Sequence, residues 1–263
     1  MEKRAVRFPA LVAAVVLVAS GARAAPIMHV HDSSGVLATI DVVTGDAHVI
    51  GSMGVQMTDI AFDPTGALFG LSFNGFYAID PSTAAVTFIG SHPVPFGNAL
   101  VFGTDGTLYA AGATSTLLFT IDPLTGAGMA LGDMGFESGG DLAFYDGGFY
   151  LASNTSQLVL VDLADLANTA AVGPFGVSSV FGLATGDDGM LYGVAGTQIF
   201  SVDASTGAAT SPVDYAGQGL GNAFGQGFFT ESGAPPVPEP GPLALLAAGG
   251  SALLVTRGWR KAR

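Results

Sequence analysis

Cysteine is absent from the 263 residues, and between Ala25 and Val237 so are lysine and arginine. The first absence excludes disulfides, thiol nucleophiles and thiolate metal sites. The second excludes nucleic-acid binding through the backbone, which needs Lys/Arg contacts to phosphate. It also excludes any chemistry that rests on an arginine clamp or a lysine nucleophile. Charge as a whole is scarce, 11% of residues against 49% hydrophobic, which is not the composition of a disordered chain. No long window of the body shows helical periodicity. What is abundant is glycine, 39 residues, and acid: 19 of the 21 Asp and Glu lie in the stretch without basic residues. The body is a polyanion whose only possible cations are four histidines.

The eight basic residues are all at the ends. Lys3, Arg4 and Arg7 precede a short apolar run, residues 10–19, and Ala22-Arg23-Ala24 is a small-x-small site. This reads as a secretory signal peptide cut after Ala24 by signal peptidase. The run is shorter than the roughly 20 residues needed to span a bilayer. At the other end come Val237-Pro238-Glu239-Pro240, then sixteen uncharged residues from Gly241 to Thr256, then Arg257, Arg260, Lys261 and Arg263 around Trp259. Such a segment is an apolar helix stopped by a basic cluster that stays cytoplasmic. With the N-terminus exported, the body then lies outside the inner membrane.

This three-part tail resembles the PEP-CTERM sorting signal over about the last 27 residues, with Pro238, Glu239 and Pro240 as the motif. The resemblance implies a Gram-negative bacterium and recognition by an exosortase. It also implies cleavage near the motif after a membrane-tethered stage, and a final place in the envelope or an exopolysaccharide matrix. A plain tail anchor is the alternative.

The body repeats. An apolar-Asp-x-x-Thr-Gly element begins at Ile40-Asp41, Ile79-Asp80, Ile121-Asp122, Val161-Asp162 (degenerate) and Val202-Asp203, the aspartates spaced by 39, 42, 40 and 41 residues. Between the copies recur Gly66-Ala67-Leu68-Phe69, Gly106-Thr107-Leu108-Tyr109, Gly147-Gly148-Phe149-Tyr150 and Gly189-Met190-Leu191-Tyr192. Before each of these stands Asp59-Ile60-Ala61-Phe62, Ala99-Leu100-Val101-Phe102, Asp141-Leu142-Ala143-Phe144 or Gly182-Leu183-Ala184. Each period holds four short runs rich in β-branched and aromatic residues, parted by Asp-Gly and Asn-Gly turns. A period near 40 with four strands is the blade of an all-β propeller.

Four blades are complete, at about 57–92, 97–133, 139–174 and 180–215. Residues 27–51 supply the later strands of a fifth and 219–230 its first strand, with Asn222-Ala223-Phe224 in the Ala-Phe position. Five blades closed by strands from both termini are expected, flanked by N- and C-terminal apolar helices. Six is the alternative, if the two fragments are separate partial blades. The domain reading is signal peptide 1–24, propeller 25–231, linker 232–237 and sorting segment 238–263. The phrases also resemble the YVTN/NHL-like group of bacterial propellers, a vocabulary shared too widely to imply an activity.

The Asp-x-x-Thr-Gly elements read as β-turns, in which Asp and Thr bond local amides and Gly takes positive φ. Their alternative use is as Ca²⁺ loops, for which one carboxylate per turn is too few. Asp63, Asp105, Asp146 and Asp187-Asp188 mark the first hairpins. Asp187-Asp188-Gly189 has the highest carboxylate density and is the weak Ca²⁺ candidate, without EF-hand spacing. Asp59 and Asp141, with Asn98 and Asn222 nearby, are placed at the channel mouth, where a polar ring could take a cation or a neutral ligand. His29 and His31 share one strand face, with His48 in the same blade and His92 in the next loop, and nothing in the spacing makes them converge. No catalytic constellation can be singled out. The expectation is a non-catalytic binding or structural module for polysaccharide or protein. The alternative is a metal-dependent propeller lyase or hydrolase using Asp59 and Asp141. Phe73, Phe76, Tyr77, Tyr145 and Tyr150 are aromatic candidates for carbohydrate contact or, more simply, for packing between blades.

Overall fold

The computed structural model describes residues 25–233. The signal peptide, the sorting segment and both flanking helices of the sequence reading lie outside the described residues.

Twenty strands form five antiparallel four-stranded sheets. Blade 1 runs, from axis to rim, β20 (Ala223–Phe228), β1 (Ile27–Asp32), β2 (Val36–Asp41) and β3 (Ala47–Ser52). Blade 2 is β4 (Asp59–Phe62), β5 (Leu68–Leu71), β6 (Gly75–Ile79) and β7 (Val86–Ser91). Blade 3 is β8 (Gly97–Phe102), β9 (Leu108–Gly112), β10 (Ser115–Ile121) and β11 (Gly128–Asp133). Blade 4 is β12 (Ser138–Tyr145), β13 (Gly148–Ser153), β14 (Gln157–Val161) and β15 (Ala170–Pro174). Blade 5 is β16 (Gly182–Thr185), β17 (Leu191–Ala195), β18 (Gln198–Val202) and β19 (Ala209–Asp214). The innermost strands touch in the circular order β4, β8, β12, β16, β20, β4, so the ring is closed. It is a five-bladed β-propeller.

Closure leaves no innermost edge exposed. β20 pairs with β1, and Asp32 ties the joint: its Oδ2 accepts from the Gly221 amide at 2.8 Å while Oδ1 accepts from the Ser34 amide and hydroxyl and from Val36. Burial alone would raise the Asp32 carboxyl, but these donors hold it below its usual value. The sequence reading is corrected here in one detail. The register pairs Met28 with Phe228 as Leu68 pairs with Phe62, so Gly227-Phe228, four residues after Ala223-Phe224, is the Ala-Phe position of the last inner strand.

The core is divided into five wedges, one between each pair of blades. One joins Leu37 and Met53 of blade 1 to Ile60, Phe62 and Leu68 of blade 2; the next joins Leu71 and Phe76 to Leu100 and Phe102. The remaining three repeat the pattern around the ring. Burying a side chain of this size contributes about 1.5–3 kcal/mol. Phe76 and Tyr77 belong to these wedges, as do Tyr145 and Tyr150 at their margins.

The Asp-x-x-Thr-Gly turns have a second role in holding blades together. Each outer strand carries a bulge at the same level, and next to it the turn of the following blade docks. A Cβ on Gly90 would stand 2.0 Å from the Thr125 carbonyl oxygen, and one on Gly173 2.1 Å from that of Thr206. Only glycine permits these approaches. In degenerate blade 4 a short 3₁₀ turn, Leu166–Asn168, replaces the motif, and Leu166 covers Gly132 instead.

Strand direction sorts the loops into two faces. The upper face holds the ends where the inner strands begin; the lower face holds the Asp-Gly hairpins and the Asp-x-x-Thr-Gly turns. Twelve carboxylates therefore edge the lower face: Asp41, Asp46, Asp63, Asp80, Asp105, Asp122, Asp146, Asp162, Asp165, Asp187, Asp188 and Asp203. Four, Asp32, Asp133, Glu137 and Asp214, lie on the upper side, and the remaining three enter the channel.

Candidate functional site

The register aligns the inner strands residue by residue. Asp59, Ala99, Asp141, Gly182 and Gly225 occupy one level of the channel, opposite Leu71, Ala111, Ala152, Val194 and His31. Thr58, Asn98, Gly140, Phe181 and Phe224 occupy the level above. Five strands meeting at an axis leave little room, and small residues at three of the five positions make space for two acids. A Cβ on Gly225 would lie 2.5 Å from His31 Nε2 and 2.7 Å from Asp59 Oδ1. One on Gly182 would strike Val194 and Gln226.

Asp59 and Asp141 are not at an open mouth, as the sequence suggested; both are fully buried beneath it. Each spans two blades. Asp59 accepts from the Ile60 amide at 2.8 Å and from Leu100 of the next blade at 2.6 Å. Asp141 accepts from Leu142 at 2.6 Å and from Leu183 of the next blade at 2.7 Å. The two carboxyls also hydrogen-bond to each other across the axis, which requires a proton between them. Burial first, then for Asp141 the charge of Asp59, pushes the pair well above the ordinary carboxylate range. Glu231 enters from the lower end, where the chain turns back after β20; the residue is half-buried with its Oε1 shielded from solvent, and its carboxyl is pushed up, chiefly by burial, while it accepts from the Thr185 amide. Ser232, next along, is also buried. Among the described residues there is no lysine or arginine to neutralise these groups, and protons do so.

His31 is wholly buried with both ring nitrogens unpartnered, and burial holds it neutral, down to about 4. His29 is lowered to about 4 for the same reason and packs edge-on against Phe62, ring centroids 4.9 Å apart. His92 bonds the Ser72 carbonyl through Nε2, and His48 is exposed on β3. The four histidines do not converge. Among the described residues no group of three His, Asp or Glu is arranged around a common metal position. Of the Ca²⁺ candidates at the lower face, Asp188 accepts from the Met190 amide and from the Tyr192 hydroxyl at 2.7 Å. Asp187 beside it is exposed.

Above the acid pair the channel opens into a funnel of about 380 Å³, within the range of small-molecule sites. All five residues of the upper level line it, with Ser138 and Ser153 at strand ends, the loop serines 156, 178 and 179, Asn154, and Phe73 at the rim. None is charged. Phe181 and Phe224 lie 5.4 Å apart at a tilt of 46° on one wall. Gly140 permits this, since a Cβ there would come within 2.4 Å of Phe181 Cα. Asn98 Nδ2 donates to the Ser138 carbonyl, which leaves Oδ1 buried with no partner. Ser156 and Ser179 both sit in the left-handed region at φ 59°, an unusual conformation for non-glycine residues and one that concentrates at ligand sites. A shallower groove shares Ser178, Ser179, Phe181 and Phe224 with the funnel and continues past Gln198 and Asn222.

Asn98 is thus brought to the funnel and Asn222 to the adjoining groove, while the acids of the sequence reading lie buried below the funnel floor. Of the aromatic candidates only Phe73 lines the funnel. Sequence reasoning missed Phe181, Phe224 and Glu231. The first two stand one residue before Gly182 and Gly225, in the column that also holds Thr58 and Asn98. An alignment of the repeats anchored on Gly225 would have displayed them.

No protein-family model and no curated protein matches the sequence. The solved structures that resemble it include a chain of a nidogen/laminin complex, with 10% identity and a TM-score of 0.55, covering 76% of this chain and 97% of that one. Hydrazine synthase of Kuenenia stuttgartiensis gives 16% identity and a TM-score of 0.41, over 60% and 49% of the two chains. A protein from work on the de novo evolutionary emergence of a symmetrical protein gives 18% and 0.48, over 78% and 95%. At these identities the likeness concerns the fold alone.

Proposed function

We propose that this chain is an exported, non-catalytic binding module, held at the cell envelope or in the extracellular matrix, which engages polysaccharide or protein through the upper face of its propeller. The observation that carries the reading is the axial funnel: an uncharged, aromatic-walled concavity in a body that is otherwise polyanionic. Ligand sites favour such concavities with a few convergent polar groups. Export and sorting rest on the ends of the sequence: the Ala22-Arg23-Ala24 site for signal peptidase, and Pro238-Glu239-Pro240 with its apolar stretch and basic end for an exosortase.

The lyase or hydrolase alternative assigns chemistry to Asp59 and Asp141. Every oxygen of the two already accepts a backbone amide, and both side chains lie below the funnel floor. A general base must reach its substrate's proton. The arrangement favours a structural role for the pair.

The test is fractionation of the native host with the mature mass measured for wild type and Phe224→Ala. The expected result is loss of both terminal segments, retention of wild type in the envelope or matrix fraction, and release of Phe224→Ala into the medium. An uncleaved cytoplasmic chain overturns the export reading. Equal retention of a folded Phe224→Ala overturns the role of the funnel.

A further inference from the structure

Resting on that reading, we infer that the funnel takes an uncharged oligosaccharide, with one sugar ring against Phe181 and Phe224 and the chain leaving along the groove past Gln198 and Asn222. Three observations point to this chemistry. The walls combine flat apolar rings with hydroxyls and amides, the pair of surfaces a pyranose presents. The Asn98 Oδ1 acceptor is buried without a donor, and the hydroxyl-bearing Ser156, Ser178 and Ser179 line the same funnel, the last two open to solvent. A sugar hydroxyl can donate to the first and accept from the others. An unsatisfied buried acceptor is destabilising until a donor meets it, which makes it a specific point of recognition.

Charge decides between classes of saccharide. No basic residue lines the funnel, and no lysine or arginine exists anywhere between Ala25 and Val237. A uronate or sulfated chain would approach a body bearing 19 acids with nothing to pair its own anions. A neutral chain meets no such barrier. A peptide fits the observations less well, because the opening presents loops and side chains, not a free strand edge on which a backbone could pair.

The experiment is calorimetry and saturation-transfer NMR on the full chain. The probes are neutral glucan, mannan, galactan and N-acetylglucosamine oligomers, with polygalacturonate and an uncharged Ser/Gly/Phe peptide as comparisons. The expected result is saturable binding of at least one neutral oligomer and none of polygalacturonate. Phe224→Ala and Asn98→Ala should each weaken it about tenfold, or about 1.4 kcal/mol. Phe224→Tyr should preserve it, and Leu124→Ser, exposed on the lower face, should leave it unchanged. Thermal melting of each variant shows that it folds. Absence of binding by every neutral oligomer overturns the inference, as does binding indifferent to both Phe224→Ala and Asn98→Ala. If the peptide binds instead and Phe224→Ala abolishes it, the saccharide is wrong while the binding-module reading survives.

Discussion

Aspartate is used in opposite ways at the rim of the lower face and on the axis. At the rim, Asp80, Asp122 and Asp203 are fully exposed and are held below the usual carboxylate value, Asp80 and Asp203 first by serine hydroxyls and Asp122 first by the Leu124 amide. On the axis, Asp59 and Asp141 also accept two backbone amides each, yet burial drives them the other way. The donors are alike; the solvent differs. Water around the turns stabilises the charged form that the amides favour. In the channel the cost of desolvating a charge exceeds what two amides return, so the carboxyl keeps a proton and shares it. The upper face extends the contrast, since the axial funnel there is lined by no charged residue.

The largest test of this contrast is Asp141→Ala. It leaves the Leu142 and Leu183 amides buried without an acceptor and removes a tie between blades 4 and 5. A loss of about 2–4 kcal/mol in urea unfolding is expected, or roughly 5–15 °C in Tm. A turn counterpart such as Asp122→Ala, whose donors turn to water, should cost a small fraction of that. Equal effects would break the comparison.

Next is Gly173→Ala, which drives a methyl against the Thr206 carbonyl of the neighbouring blade. A backbone oxygen cannot step aside, so destabilisation of about 1–3 kcal/mol is expected by the same assay. A neutral result would mean that the turns dock less firmly than the contacts imply.

The pH dependence sharpens the contrast further. Asp59, Asp141 and Glu231 have raised values in the folded state, so above their ordinary 3.8 and 4.5 the folded chain binds more protons than the unfolded one. Stability from these groups therefore falls as pH rises through the folded values. His29 and His31, lowered from 6.5 to about 4, act oppositely and only within that interval. The histidine contribution is common to wild type and carboxyl variants, so urea unfolding from about pH 4.5 to 9 should show a decline in wild type that Asp59→Asn with Asp141→Asn flattens and Glu231→Gln reduces further. A pH dependence identical in wild type and the double variant would remove the shared-proton description.

The smallest effect concerns salt. Exposed carboxylates without internal cations repel, and screening relieves them, so Tm at pH 7 should climb modestly with NaCl. Ca²⁺ at matched ionic strength separates screening from binding: an excess that Asp187→Asn or Asp188→Asn abolishes would assign a divalent ion to that hairpin. Coincident curves would leave screening alone.

Much of the architecture was legible because a repeat states itself several times. The spacing of Asp41, Asp80, Asp122, Asp162 and Asp203, with four apolar runs per interval, specifies four-stranded blades. The fragments at both ends pointed to a shared fifth blade but left six open, until the pairing of β20 with β1 closed the ring at five. Asp59 and Asp141 stood out as acids in an inner-strand column, but nothing in one dimension says that two blades apart means across a narrow axis, within reach of a shared proton. Glu231 follows the last strand and carries no repeat signature; its place in the channel depends on the chain turning back after Phe228. The funnel collects Thr58, Asn98, Phe181 and Phe224 from four blades, residues of unrelated type that become neighbours only at the hub.

The sequence by itself thus determined the four-stranded blade, its four complete copies and the acidic character of the turns, since these follow from local periodicity and turn chemistry, whereas closure at five and not six was settled by the pairing of β20 with β1. Which carboxylates are charged, which aromatic rings meet and where a ligand can enter were decided only by the tertiary structure. These are consequences of desolvation and of distance between strands about 40 residues apart, and both come into being when the ring closes.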